Sequence, residues 1–281
     1  MPLADDALLS LAARLTAVPG IVGVTLGGSR GRGEGAVDSD TDLGLYYRHA
    51  IDVDALGALA REVAGPKAEV TGHGGWGPWV DGGGWLRING APVDLIYRDL
   101  DRVEECWRRV SAGENTFHMQ TGHPLGVPDL AYPGELALSR VLADPSGELA
   151  ARHATYQAYP SALTAALLEG LGEAQFLVDG AAKVASRGDT AYLALLLARA
   201  SLLAAHAICG RAGRWVTNEK GLIAIAARQP GAPAGFAEAV TSCLGLLATD
   251  APAAVGAANA IIERVRSASS AAPGPRAAAP G

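Results

Sequence analysis

Two carboxylates stand two residues apart, Asp40 and Asp42, at the head of the run Asp42-Leu43-Gly44-Leu45-Tyr46-Tyr47. In an extended strand, residues i and i+2 share a face. Both carboxylates then point one way, with Cα atoms roughly 7 Å apart, while Leu43, Leu45 and Tyr47 point into a core. Like charges held on one face repel unless a cation lies between them. One or two carboxylates completed by substrate phosphates is a donor set that suits Mg2+. The competing explanation is a solvated turn, Asp38-Ser39-Asp40-Thr41, ahead of an ordinary strand. A third acid bears on the choice. In the stretch APVDLIYRDL, Val93, Leu95 and Tyr97 alternate on one face and leave Asp94 on the other. An acid in mid-strand is disfavoured unless it is solvated or used. If this strand lies beside 42–47, three carboxylates converge on one sheet face, which two-metal phosphoryl or nucleotidyl transfer requires.

Just upstream, the apolar run 21–26 ends in Gly27-Gly28-Ser29. A turn with no Cβ at two positions lets backbone N–H groups approach an anion closely, and the Ser29 hydroxyl adds a donor. Arg30 and Arg32 could neutralise phosphate oxygens. Taken alone, such a segment is as well explained as a plain turn. It lacks both the Gly-Lys-Ser/Thr ending of a P-loop and the Gly-x-Gly-x-x-Gly of a dinucleotide turn.

These residues need elements to position them. Leu8, Leu11, Ala12, Leu15 and Val18 recur at helical spacing, and strands are expected at 21–26, 42–47, 68–71, 84–88 and 93–97. The last two flank Asn89-Gly90, a hairpin signal, with Ala91-Pro92 as a possible extension of the loop. Asp52 or Asp54 can cap a helix running to Val63, and Asp99 or Asp101 one running to about Ser111. From about Gly134 the periodicity turns helical: 134–142, 161–186, 190–209, 218–228, 234–248 and 252–266. The expected fold is α+β, with a mixed-sheet domain over 1–130, a helical bundle over 131–266 and a disordered tail over 267–281.

Composition narrows the function classes. The chain has 281 residues, 49% hydrophobic, with a net charge of −6. Hydrophobic content at that level supports a real core, and the negative balance argues against nucleic acid as a partner. Cys106, Cys209 and Cys243 are too scattered for a disulfide framework or a zinc site, which fits a cytoplasmic location. The opening MPLADDALLS carries acids where a secretory leader carries basic residues. The apolar stretch 191–209, interrupted by Arg199 and His206, reads as a buried helix rather than a membrane span. Trp76, Trp79 and Trp85 lie in the glycine-rich segment 72–85, where they serve either as a stacking platform or as packing beneath the hairpin. His123, before Pro124, reads as a turn residue.

The combination of Gly28-Ser29, ten intervening residues, Asp40-Thr41-Asp42-Leu43 and a later strand Asp94 resembles the DNA polymerase β-type nucleotidyltransferase superfamily. Within it, the resemblance is to the small bacterial nucleotidyltransferases that modify aminoglycosides and lincosamides. The motifs span about residues 20–100. The resemblance implies that Gly27, Gly28 and Ser29 hold the phosphates of a nucleoside triphosphate, with ATP as the default. It implies that Asp40, Asp42 and Asp94 ligate two Mg2+ ions, and that Asp94 acts as base on the acceptor hydroxyl. Arg30 and Arg32 match basic positions less rigidly. The only lysines are Lys67, Lys183 and Lys220. Lys220, ahead of Lys183, is the candidate to reach the triphosphate from the helical half, against a plain surface role for both. Glu135 is an alternative base, although an acid at a helix start is ordinary dipole chemistry. The implied reaction is transfer of a nucleoside monophosphate to a hydroxyl on a small molecule. Transfer to RNA, tRNA or a protein, and a non-catalytic nucleotide-binding module, stand as alternatives.

Overall fold

The computed structural model describes residues 3–31 and 40–270. The chain divides into two compact units, Met1–Tyr159 and Pro160–Gly281.

The first unit opens with α1 (Asp5–Leu15), whose Leu8, Leu11, Ala12 and Leu15 are buried at the expected spacing. It continues through β1 (Ile21–Leu26), a single turn of helix α2 (Gly28–Gly31), β2 (Thr41–Tyr47) and α3 (Val53–Ala64). Next come β3 (Gly83–Ile88), β4 (Ala91–Asp99), α4 (Leu100–Ser111), the two-stranded ribbon β5 (Phe117–Gln120) and β6 (His123–Pro128), α5 (Ala131–Leu138), β7 (Arg140–Ala143) and α6 (Glu148–Tyr156). Five strands form one sheet in the order β3-β4-β2-β1-β7, with β2 and β4 parallel and the other neighbours antiparallel. The mixed sheet followed by helices is the α+β architecture expected from the sequence.

Local chemistry explains the element ends. Asp52 caps α3 by accepting from the Ala55 N–H at 2.9 Å, and Asp99 caps α4 by accepting from the Asp101 N–H at 3.0 Å. Asn89 and Gly90 both take positive φ, 51° and 81°, the signature of a two-residue hairpin turn whose twist matches the strands. Ala91 and Pro92 therefore belong to β4, opposite Ile88 and Arg87, and do not lengthen the loop. One face of the sheet carries Leu43, Leu45, Val93, Leu95, Val24 and Leu26 against α1 and α3, forming the main apolar core. The other face carries Asp42, Tyr46, Asp94 and Arg98.

Several elements differ from the sequence reading. Residues 68–71 form no strand; Thr71 N–H reaches the Gly83 carbonyl at 2.8 Å, but no ladder develops. The expected helix 134–142 stops at Leu138, because Arg140, Val141 and Ala143 pair with β1 and extend the sheet. That pairing keeps β7 and α6 in the first unit and puts the division at Tyr159, later than the 130/131 expected from periodicity. The β5–β6 ribbon has no clear strand signal in the sequence. Pro124 and Pro128 mask its alternation, and its turn relies on Gly122 at φ 84°.

The second unit is helical: α7 (Ser161–Glu169), α8 (Leu171–Val184), α9 (Thr190–Arg211), α10 (Leu222–Ala227), α11 (Phe236–Gly245) and α12 (Ala251–Ser270). The expected single helix 161–186 is broken at Gly170 into α7 and α8. Helix α9 is long and apolar enough to cross a membrane, yet 67% of its most apolar window is buried within the protein, as befits the central helix of a bundle. Gly210 permits its close approach to α7, where a Cβ would fall 2.7 Å from Leu167 Cδ1. Helix α12 runs to Ser270, through the start of the expected tail; residues 271–281 lie outside the described residues.

Candidate functional site

Strand register brings the key acids together. In the parallel pair, Asp42 lies directly opposite Asp94, on strands about 4.8 Å apart. Both side chains face the side of the sheet away from the main core, and both are half-buried. Asp40 is exposed immediately before β2. Burial, then the charge of Asp42, then that of Asp40, push the Asp94 carboxyl up to about 6. The charges of both neighbouring acids thus act on Asp94.

The glycine turn is built onto Asp42. Gly27 N–H donates to the Asp42 carbonyl at 2.8 Å, and Gly31 N–H to the Gly27 carbonyl at 2.8 Å. Gly28 takes φ 59°, and a Cβ there would lie 1.9 Å from Asp42 Oδ2. Glycine is demanded twice at this position, once by the left-handed backbone and once by the carboxylate against it. Ser29 follows in α2, partly buried. Strand end, turn and carboxylate therefore form one local unit.

Other candidates are placed elsewhere. Arg30 donates to Thr41 Oγ1 at 2.5 Å and to the Leu3 carbonyl at 2.9 Å. Thr41 alternates with Asp42, so this guanidinium is engaged on the opposite face of the sheet. Arg32 lies outside the described residues. Glu135 grips Arg98 with two bonds, 2.6 Å and 3.1 Å. Burial pulls the Arg98 guanidinium down, but the facing carboxylate outweighs it and holds the charge in place. Tyr46, fully buried beside this pair, has its hydroxyl pushed up by burial and then by the Glu135 charge. Glu135 thus serves as counter-ion to Arg98, a partnership that its position at a helix start did not reveal. Lys183 is exposed in the last turn of α8, and Lys220 is exposed in the turn ahead of α10.

The tryptophans separate. Trp85 pairs with Asp94 across β3 and β4 and is 72% exposed. Trp76 stacks on it, centroids 4.6 Å apart at 20°. Trp79 instead stacks on His118 at 3.5 Å and 12°. A cavity of about 510 Å3 near Trp79 is also lined by Arg102, Cys106, Arg109, His118 and Asp129. The buried Asp129 accepts there from His118, Arg109 and the Thr116 N–H at 2.7–3.0 Å, which anchors the β5–β6 ribbon to α4. His123, expected in a turn, is the first residue of β6 and pairs with Gln120.

Among the described residues, no cluster of three or more histidine, cysteine, aspartate or glutamate side chains is drawn together tightly enough to hold a metal ion. The donor chemistry nonetheless fits a hard divalent cation. Asp42 and Asp94 offer carboxylate oxygens from one face, and burial and the charge of Asp42 raise the Asp94 carboxyl.

No protein-family model matches the chain, and no curated protein sequence matches it. Among solved structures it is similar to a nucleotidyltransferase-like protein from Exiguobacterium sibiricum, at 11% identity and a TM-score of 0.45, over 94% of this chain and 74% of that one. A likeness that distant carries no argument about the reaction.

Proposed function

We propose that the protein transfers a nucleoside monophosphate from a nucleoside triphosphate, ATP by default, to a hydroxyl of a small molecule, with release of pyrophosphate. The observation that carries this reading is the in-register pair Asp42–Asp94 on an open sheet face, with the Gly27-Gly28 turn packed against Asp42. Asp40, Asp42 and Asp94 would hold two Mg2+ ions. When bound, Mg2+ neutralises phosphate charge and lowers the pKa of a bound hydroxyl. The backbone of Gly27 and Gly28 and the Ser29 hydroxyl would hold the phosphate tail. Asp94 accepts the proton of the acceptor hydroxyl as its oxygen bonds to the α-phosphorus and the bond to pyrophosphate breaks. Bound Mg2+ would favour the ionised form of Asp94, so the metal, by lowering the pKa of the hydroxyl, would supply most of the driving force for the proton transfer.

A small acceptor is favoured over RNA by the net charge of −6, since a negative protein repels a phosphate backbone. Arg32, Lys183 and Lys220 remain candidates for the triphosphate. Lys220→Ala is expected to raise the KM for nucleotide about tenfold, as loss of a charge-assisted phosphate contact does, and Lys183→Ala by less. Equal, negligible effects would assign both to the surface.

The test is pyrophosphate release with each nucleoside triphosphate and Mg2+ against a panel of small alcohols and amino sugars, with tRNA and protein in parallel. Release that depends on a small acceptor is expected. Label on tRNA or protein, with no small alcohol modified, would replace the small-molecule acceptor by a macromolecule. Tight nucleotide binding without turnover on any acceptor would identify a binding module.

A further inference from the structure

The geometry points to the Trp76–Trp85 stack as the platform on which the acceptor lies, a saturated hydroxylated ring seated on the indole face of Trp85. This rests on the nucleotidyl-transfer reading and adds to it where the acceptor binds and which residue selects it.

Residues opposite one another on neighbouring strands share a face. Asp42 is opposite Asp94, and Asp94 is opposite Trp85. One row therefore crosses three strands, carboxylate, carboxylate, indole, with the Gly27-Gly28 turn beyond Asp42 at its other end. In phosphoryl transfer the attacking and leaving oxygens lie roughly in line on opposite sides of phosphorus. If the phosphate tail leaves toward the turn beside β1 and β2, the attacking hydroxyl arrives from the β4–β3 side. Trp85 is the large side chain exposed there, 72% open.

The stack is built to be held still. Gly83 precedes Trp85 by two positions on the same face, and a Cβ on it would come 2.7 Å from the Trp76 ring. Glycine leaves the space in which that indole lies. The loop carrying Trp76 is tied down by the buried Gln120. Its Nε2 donates to the Trp76 carbonyl at 2.8 Å, and its Oε1 accepts from the Trp79 and Val80 N–H groups at 3.0 Å each. With one face of Trp85 covered by Trp76, the ring is presented in a fixed orientation, which lowers the entropy cost of binding.

An indole face carries negative charge density. It attracts the polarised C–H hydrogens of a sugar-like ring and, more strongly, an ammonium group. A ring lying flat on Trp85 presents its edge hydroxyls toward Asp94, the group that takes the proton.

The experiment pairs turnover with direct binding. Steady-state constants are measured for wild type, Trp85→Ala and Trp85→Phe with ATP, Mg2+ and kanamycin, glucosamine or methyl glucoside. Binding of the same compounds is followed by the indole N–H signals in NMR, with the Trp85 signal assigned from Trp85→Phe. Because Trp85 is exposed, both variants should fold, which thermal unfolding checks. The expected result is an acceptor KM raised about tenfold in Trp85→Ala, partly restored in Trp85→Phe, with the KM for ATP unchanged. Wild-type compounds should shift the Trp85 signal. Turnover with an unchanged acceptor KM in Trp85→Ala would overturn the platform and leave nucleotidyl transfer standing. A raised KM for ATP alone would assign the ring to the nucleobase and also overturn it. Ring binding at Trp85 without pyrophosphate release from any acceptor would keep the platform and refute nucleotidyl transfer. With neither binding nor turnover, the platform fails too.

Discussion

Asp94 and Arg98 stand on one strand and face the same side of the sheet, yet Arg98 is largely buried against an acid of opposite charge, whereas Asp94 is half-buried beside an acid of its own sign. Arg98 is met by Glu135 through two hydrogen bonds and packs near the Tyr132 ring at 5.9 Å. Asp94 is met by another acid, Asp42, directly across the ladder, with its carboxyl pushed up to about 6. At one end of the face, charge is balanced within the fold. At the other, two acids lie side by side, against a turn with no room for a side chain. A carboxylate perturbed by burial and a neighbouring acid at a partly exposed position is a candidate for a functional site.

The sharpest way to break the comparison is to remove charge from each end in turn. Asp42→Asn should lower turnover roughly a thousandfold, about 4 kcal/mol of barrier. It should leave the Mg2+-free protein as stable as wild type or more so, because it relieves repulsion. Wild-type turnover would remove Asp42 from the site. At the balanced end the reverse holds. Glu135→Ala should cost about 3 kcal/mol in denaturant unfolding, since it strands a buried guanidinium. A Glu135 variant that stays fully stable but loses turnover would move the role of base from Asp94 to Glu135.

Two smaller effects sharpen the picture. Gly28→Ala has to place a Cβ 1.9 Å from Asp42 Oδ2 at φ 59°; about 2 kcal/mol of stability should be lost, and turnover with it, as the carboxylate is displaced. Normal turnover in this variant would separate the turn from the site. Last comes pH. The folded pKa of Asp94, about 6, lies above the ordinary carboxylate value near 3.9. The folded state therefore holds this proton more tightly than the unfolded chain. The associated stability is fully present below about pH 4 and is lost as pH rises through 6. Allowing for solvent screening of a half-exposed group, the loss is on the order of 1 kcal/mol. It should appear as a difference between wild type and Asp94→Asn in Mg2+-free buffer. Parallel stability–pH curves for the two proteins would show that Asp94 is not perturbed.

Much of this was legible in the residues. Alternation put Leu43, Leu45 and Tyr47 on one side and Asp42 on the other, and the structure keeps that division because one misplaced residue would turn every apolar side chain toward solvent. Asn89-Gly90 announced its hairpin, and Asp52 or Asp54 a cap that the structure assigns to Asp52, since both signals act through the local backbone. What local signals did not contain was pairing between distant segments. Residues 140–142 look helical alone and become part of a strand because β1 offers them an edge. Glu135 looks like a helix-start acid until Arg98 arrives from β4. Trp85 looks like hairpin packing until register sets it beside Asp94. Arg30, in the same glycine-rich stretch as the turn, bonds Thr41 on the opposite face from Asp42. The sequence by itself thus determined the types of the elements and the faces of the acids, which follow from period and short-range sterics. Tertiary structure alone decided which acids lie together and which are neutralised, because a charge's environment depends on whichever strands and helices the whole fold brings against it.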